Sequence, residues 1–523
     1  MRAVGRFSWW VVLALVAMMP AGALAAQDST LIIGTTDKVT QLEPANSYDF
    51  WTWHVLEQTT GTLVTPEPGT ARLVPSLAER WQISSDAKVY TFYLRRGVTF
   101  TDGTPFNAQA MKWSLERALK LDGPEGAVGL IKGIDKIEAV DEYTLRITLK
   151  QSDATFLARL ADPIAPVMAF SPKSMPADKM VNGQYAGTGP YKLVRYDPDQ
   201  RVVLEAYDKY WGPKPKTQRV IEVFYSDASA LRAALESGQI DVGFRTFNPE
   251  DIASLEKDGR FAVIKGKGSL SVRYIVFNVT QKPFDNPALR RALALAIDRE
   301  RIVSDVFGGL NAPLYSMVPP GMWSHIEAYP KRDVEGARKA LAALGYSQSK
   351  PLTITLWYTP SHYGTTEGDV AAVVKDSLEE TGLVKVDVQA LEWGTYVTRM
   401  SEGALGMFFL GWYPDFLDPD NFLAPWLTEA PGSLGTHLDR ATSEADRAYY
   451  REFVRLLTAA KHVSDQDIRE RFYVQAQQKL AESAILIPLW QNSIQHLAIA
   501  QRNVEGIVLD PSMNFRTWLM YKK

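Results

Sequence analysis

A chain of 523 residues is too long to close around one hydrophobic core. Single cores stop growing near ~250–300 residues, so at least two lobes are expected. The material to fill them is present: 46% of the chain is hydrophobic, and its 14 Trp, 22 Tyr and 21 Phe argue against a disordered or low-complexity polymer. Lys and Arg number 57 against 60 Asp and Glu. With no basic excess to neutralise phosphates, a dedicated nucleic-acid binder is not expected. Cysteine is absent, which removes disulfides, thiolate metal sites, iron–sulfur clusters and a cysteine nucleophile together.

The first residues read as an address. Arg2 and Arg6 precede an uncharged apolar run, Phe7 to Met19, which Pro20 and Gly22 break before Ala23-Leu24-Ala25. This is the pattern of a cleaved secretory signal over 1–25. The run is too short for a membrane span of about 20 residues. Loss of the two arginines would take the net charge from −3 to −5. No lipobox cysteine follows, so no lipid anchor is expected, and no later apolar run is long enough to span a bilayer. The expected product is a soluble protein of the periplasm.

Strands and helices alternate along the chain, an α/β signature. Leu31-Ile32-Ile33, Val89 to Leu94, Tyr143 to Leu149, Leu352 to Trp357, Val384 to Leu391 and Ile485 to Trp490 read as strands. Tyr191 to Val194 and Arg201 to Glu205 flank Asp197-Pro198-Asp199-Gln200, a hairpin with a polar turn. Helices are expected over Tyr48 to Gln58, Ala108 to Leu119, Glu335 to Leu344, Val370 to Glu380 and Arg469 to Glu482. The clearest opens at Asn286-Pro287, a cap followed by proline at the first helical position. Asp298 is the expected cap of a short helix through Phe307.

Catalytic motifs are missing: there is no G-x-S-x-G elbow, phosphate-binding loop or H-E-x-x-H. The six histidines are scattered singly, so no metal site and no cofactor are expected. One segment is unusual. Gly411 to Phe422 (GWYPDFLDPDNF) places Asp415, Asp418, Asp420 and Asn421 among Trp412, Tyr413, Phe416 and Phe422. Pro414 and Pro419 make a continuous helix or strand improbable and predict a rigid loop. Carboxylates beside apolar rings lose water, so each needs a donor or cation, or it neutralises. Three readings stay open on the residues alone. The acids cap turns and pair with arginines; or they bind calcium, although the spacing departs from the usual loop; or one of them meets a ligand ammonium against an aromatic wall.

Three blocks carry a resemblance. They are LVPSLAERWQISSDAKVYTFYLRRGVTFTDGTPFNA (73–108), TGPYKLVRYDPDQRVVLEAYDKYWG (188–212) and FNVTQKPFDNPALRRALALAIDRERIV (277–303). Gly308, Pro319-Pro320-Gly321, Trp393, the Gly411 loop and Ile487-Pro488-Leu489 follow in the same order. Together they resemble the family 5 extracellular solute-binding proteins of ABC importers, which include dipeptide-, oligopeptide- and nickel-binding members. Departures are small: Ala87 stands where the family often has a turn glycine, and Gln109-Ala110 replaces a common acidic pair.

The resemblance implies an α/β, two-lobed periplasmic binding protein (type II, cluster C) with an extra subdomain in lobe I. Lobe I would take 26–60, 185–272 and 485–523, the extra subdomain 61–184, and lobe II 273–484. The chain would cross between lobes near Lys265–Ser271 and Ala484. Ligand would bind between the lobes, which close by a hinge. In peptide-binding members an aspartate of a G-W-x-x-D loop pairs with the peptide ammonium, and Asp415 matches it. Trp393 and Trp412 stand where the family has aromatic residues near the cleft, with Tyr413 and Phe416 as further candidates. Arg245 is the candidate for a carboxylate end. The implied function is capture of a small peptide without catalysis, and its delivery to ABC permease subunits by a monomer. An oligosaccharide ligand is the alternative within the same fold. From other classes, a secreted glycoside hydrolase using two loop acids, or a periplasmic chaperone or sensory adaptor, remains open.

Overall fold

The computed structural model describes residues 30–161, 164–245, 247–266, 269–364, 366–493, 496–512 and 514–523. The leader expected over 1–25 lies outside them. Two large sheets organise two lobes. The first has seven strands in the order Phe261–Lys265, Leu497–Gln501, Val242–Phe244, Thr30–Thr35, Arg219–Phe224, Arg201–Ala206 and Tyr191–Asp197. Its centre is parallel, with Thr30–Thr35 between Arg219–Phe224 and Val242–Phe244. The second has six strands, ordered Ala312–Pro313, Leu486–Gln491, Val272–Phe277, Met407–Trp412, Leu352–Tyr358 and Val384–Ala390. A four-stranded antiparallel sheet, Ala78–Ile83, Val89–Leu94, Thr144–Leu149 and Ile134–Asp141, lies in the segment read as the extra subdomain. Helix Ala108–Leu121 shares a core with it.

The six-stranded sheet shows why these residues make strands. Every residue of Val272–Phe277 is buried, and successive side chains enter opposite faces. Val272, Tyr274 and Val276 join a cluster with residues of helices Glu444–Lys461 and Gln466–Ser483. Ile275 and Phe277 join another with residues of helices Pro287–Ala296, Val334–Ala343 and Glu367–Glu379. A strand covered on both faces must be apolar throughout, as this one nearly is.

Local signals hold where their chemistry is local. The Asn286 side chain accepts from the Ala288 amide with Pro287 at the first helical position, and Asp298 accepts from the Arg301 amide. Ala87, in place of the family's frequent glycine, adopts the left-handed conformation at φ +52°, a strain of about 1–2 kcal/mol for a residue with a Cβ.

Three expectations change. Gly411 and Trp412 are not loop: they end the strand Met407–Trp412, and the loop begins at Tyr413. Strand Leu486–Gln491, expected in lobe I with the rest of 485–523, pairs with Val272–Phe277 in the six-stranded sheet, because its nearly continuous apolar run suits a strand covered on both sides. The second connection between the sheets therefore runs after Gln491 rather than near Ala484. There the Asn492 amide donates to the Ser271 carbonyl and the Gly266 amide to that of His496, so the two connections lie side by side.

Buried ion pairs tie each unit together. Arg117 grips Glu43 through two hydrogen bonds of 2.8 Å, joining the helix Ala108–Leu121 to the segment after the first strand. Arg290 and Asp446 are fully buried at 2.5 Å, and Arg290 also donates to the carbonyls of Phe284 and Ser483. Removing one partner of such a pair strands the other charge in the core, at about 3–5 kcal/mol. Asp446→Ala should therefore destabilise the six-stranded lobe by that amount, read as a lower urea midpoint for its transition. A shift under about 1 kcal/mol would show that the buried arginine finds other partners.

Candidate functional site

A cavity of ≈ 540 Å³ lies between elements of the two sheets. On the seven-stranded side, the chain leaving strand Thr30–Thr35 supplies Asp37, Lys38 and Thr40, and the start of helix Phe50–Thr59 supplies Tyr48, Asp49, Phe50, Trp51 and Trp53. Asp49 caps that helix by accepting from the Thr52 amide, which fixes where these rings stand. On the six-stranded side come His362 and Tyr363 after strand Leu352–Tyr358, Trp393 at the start of helix Trp393–Ser401, and Gly411 to Asp415.

The three loop acids part company. Asp418 receives two contacts of 2.9 and 2.8 Å from the Arg469 guanidinium. Asp420 sits 3.2 Å from Lys461; burial, only partly offset by that ammonium, pushes its pKa up to about 7. These two follow the turn-and-ion-pair reading, since Asp418 also caps the turn Pro419–Phe422. Asp415 does not: it lines the cavity and has no ion-pair partner among the described residues. Its Oδ1 accepts from the Tyr48 hydroxyl at 2.5 Å, across the cleft. Its amide donates to Asn421 Oδ1 at 2.8 Å, and the same oxygen accepts from Trp412 Nε1 at 3.0 Å. Asn421 thus pins both ends of the Trp412–Asp415 turn. Burial holds the Asp415 carboxyl above the usual carboxylate range, only partly offset by its hydrogen bonds. The Tyr48 hydroxyl keeps its proton, because burial and then the adjacent carboxylate push its pKa far up. Among the described residues no group of His, Asp or Glu could hold a metal ion.

The other anticipated residues divide. Trp393, Trp412 and Tyr413 line the cavity with Asp415. Trp393 stacks flat on His362 at 3.6 Å, and Trp412 stands edge-on to Trp426 at 4.7 Å. Tyr413 meets Phe50 of the opposite wall edge-on at 5.3 Å. Phe416 points away: it is buried, with the Arg159 guanidinium 4.8 Å over its ring. Arg245 is buried behind the wall, 3.3 Å from Asp37 and 4.8 Å from the Phe50 ring, so it neutralises Asp37 instead of facing the cavity.

Several lining residues carry no sequence signal. Tyr48 meets Asp415 only through the fold, 367 residues away. His362 and Tyr363 lie in a polar loop; burial, then the Arg273 charge, pushes His362 down to about 4, so it is neutral at pH 7. Gly411 is explained by what fills its side-chain space. Arg273 is its cross-strand partner and lies beneath it, so a Cβ at 411 would be 2.1 Å from Arg273 Nη1. The guanidinium pairs with Glu367 and lies 3.4 Å from the Tyr363 ring.

Two lobes built on separate sheets, joined by adjacent connections and lining an aromatic cleft with a carboxylate that makes no ion pair among the described residues, have the architecture of a solute-binding protein. The chain belongs to the bacterial extracellular solute-binding proteins, family 5: residues 72–433 match that family's middle region. It is 29% identical to the dipeptide-binding protein of Escherichia coli (strain K12) over 469 residues, 85% of each chain. It is 31% identical to the heme-binding protein A of Haemophilus influenzae, over 87% of this chain and 85% of that one. A solved dipeptide-binding protein of Pseudoalteromonas sp. SM9913, in complex with Met-Leu, superposes with a TM-score of 0.73 at 26% identity, covering 94% of this chain and 100% of that one. Among the described residues no helix is long and apolar enough to cross a membrane.

The Tyr48–Asp415 hydrogen bond is the direct polar tie across the cavity at the carboxylate. Tyr48→Phe removes it and leaves the ring. Hydrogen bonds to charged groups are worth about 1.5–3 kcal/mol. The variant should therefore widen the ligand-free lobe-separation distribution, measured by small-angle X-ray scattering or by spin labels on the two lobes. An unchanged distribution would show that the bond has no part in closure.

Proposed function

We propose that this protein captures short peptides with a free α-amino group between its lobes, without turning them over, and delivers them to ABC permease subunits from the periplasm as a soluble, unanchored monomer. Asp415 carries the reading: it is a half-buried carboxylate lining the cleft, with no ion-pair partner among the described residues. A ligand ammonium supplies that partner in surroundings where water does not screen it. Trp412, Trp393 and Tyr413 form the wall against which the first residues pack. Arg245 acts through Asp37: by neutralising it, the arginine leaves Asp415 as the stronger draw for a positive charge. We keep the lobe limits as proposed, apart from the strand Leu486–Gln491. The aromatic wall also suits a sugar face, so an oligosaccharide is the second reading; there Asp415 would accept from a hydroxyl.

The test is isothermal calorimetry with Met-Leu and its N-acetyl form, preceded by native mass spectrometry for any ligand retained through purification. Met-Leu should bind, and acetylation or Asp415→Asn should each weaken it at least tenfold. Equal binding of the acetylated peptide would sink the ammonium anchor, and a retained sugar would move the reading to the alternative.

The raised pKa of Asp415 adds a pH signature. In the empty protein its carboxyl takes up a proton at higher pH than an exposed aspartate, whereas a bound ammonium favours the ionised form. Affinity is then full above the raised value and falls as pH drops through it, with proton release on binding within that window. Calorimetry in buffers of different ionisation heat should detect the release, and Asp415→Asn should abolish it.

A further inference from the structure

Trp53 lines the cavity with a relative exposure of only 3%, and its Nε1 has no hydrogen-bond partner among the described residues. An indole N–H can only donate, and a buried unmet donor costs about 1–3 kcal/mol. Such orphans call for a reason, and a missing ligand is one. Its surroundings give the reason. Tyr48 stands edge-on against the Trp53 ring at 5.1 Å, with Phe50 at 5.5 Å on the same indole. The hydroxyl of that same Tyr48 rests on Asp415. Carboxylate and indole are therefore separated by about one tyrosine side chain. An amino group and the carbonyl beside it have that reach, when each makes a hydrogen bond of about 2.9 Å.

We propose that Trp53 Nε1 donates to the first carbonyl oxygen of the ligand while Asp415 holds the amino group next to it. The inference rests on the peptide reading and narrows it: the recognised unit is an α-aminoacyl group, not an amine alone. Tyr48 links the two contacts. The arriving ammonium competes with its hydroxyl for the Asp415 carboxylate, and release of that hydroxyl frees the ring to leave the indole. In the empty protein Tyr48 thus covers both groups that the ligand engages. Trp53 makes no covalent change; it is a specificity-determining donor on the wall opposite Asp415.

The experiment is a cycle on the full-length mature protein. Wild type and Trp53→Phe are titrated with Met-Leu and with its analogue in which a methylene replaces the first carbonyl. Trp53→Phe should weaken Met-Leu about tenfold, the worth of one hydrogen bond in a dry site, and leave the analogue unchanged. Equal losses for both ligands would assign Trp53 a packing role and overturn the inference, as would no loss for either. Should Trp53→Phe fail to fold, benzothienylalanine at position 53 keeps the bicyclic ring without the N–H and carries the same expectation. Failure of wild type to bind Met-Leu, or equal binding of its N-acetyl form, would bring down the peptide reading itself. Loss with Asp415→Asn but none with either change at Trp53 would bring down only this inference.

Discussion

The cleft is organised by Asp415, a half-buried carboxylate that makes no ion pair among the described residues. Desolvation of an ion costs several kcal/mol even after relaxation, and a flexible side chain would swing into solvent or find an arginine. Asp415 is held in place instead, half-buried and without an ion pair among the described residues. Its own amide is tied to Asn421, which also holds Trp412, and Asn421 sits in a turn capped by Asp418. Asp418 is in turn committed to Arg469, and Asp420 to Lys461. The other two loop acids are taken up by the scaffold, and Asp415 is left lining the cavity without an ion pair among the described residues. Of the two cations near the opposite wall, Arg245 lies 3.3 Å from Asp37 behind it and Lys38 lies 3.4 Å from Asp199.

Such a site works only if its walls keep their shape while the gap between them changes. Buried ion pairs add little net stability over an apolar core but tolerate few alternative arrangements. Arg290–Asp446 fixes helices beneath the six-stranded sheet, Arg273–Glu367 fixes Gly411 and Tyr363 at the cleft, and Glu43–Arg117 joins the extra sheet's helix to the first lobe. Between the lobes the links are sparser. Adjacent connecting segments share a few hydrogen bonds around Ser269–Ser271 and Gln491–Asn492. Lobes joined by such a double connection suit the hinge rotation expected of them more than deformation of their cores.

Sequence patterns carry far in the scaffold and only halfway into the site. Cap chemistry and turn chemistry act within four residues, so Asn286-Pro287, Asp298 and the Asp197–Gln200 turn are directly legible. The amphipathic helix Glu444–Lys461 is hidden by the charged residues that crowd its sequence, and strand Leu486–Gln491 reads as a strand but joins the other sheet. Partner choice is a long-range property that the strand's own residues do not encode. Asp415, Trp412, Trp393 and Tyr413 share one wall and are visible through their motif and its resemblance. The facing wall, Tyr48, Phe50 and Trp53, looks from its sequence like the start of an ordinary helix. Arg245, a positive residue in a plausible loop, lies beside an aspartate that the sequence does not pair with it.

The empty and loaded clefts differ in what they offer Asp415. A tyrosine hydroxyl is a neutral donor, and an ammonium is a full charge with three donors. A ligand shifts a conformational equilibrium only by the difference in its affinity for the two states. An open cleft presents Asp415 to water, where an ammonium gains little; a closed one presents it dry, where the same contact is strong. For the proposed amine ligand, the charge would be felt mainly in a closed form, and that difference would favour closure. In the proposed peptide reading, the Tyr48 hydrogen bond to Asp415 holds the empty cleft together and gives way to an amine. Aromatic walls add dispersion that depends on contact area more than on side-chain identity. In the proposed reading, charge at one end would set the register of the ligand and the rings would accept varied groups beyond it, a division that favours a class of ligands over a single compound.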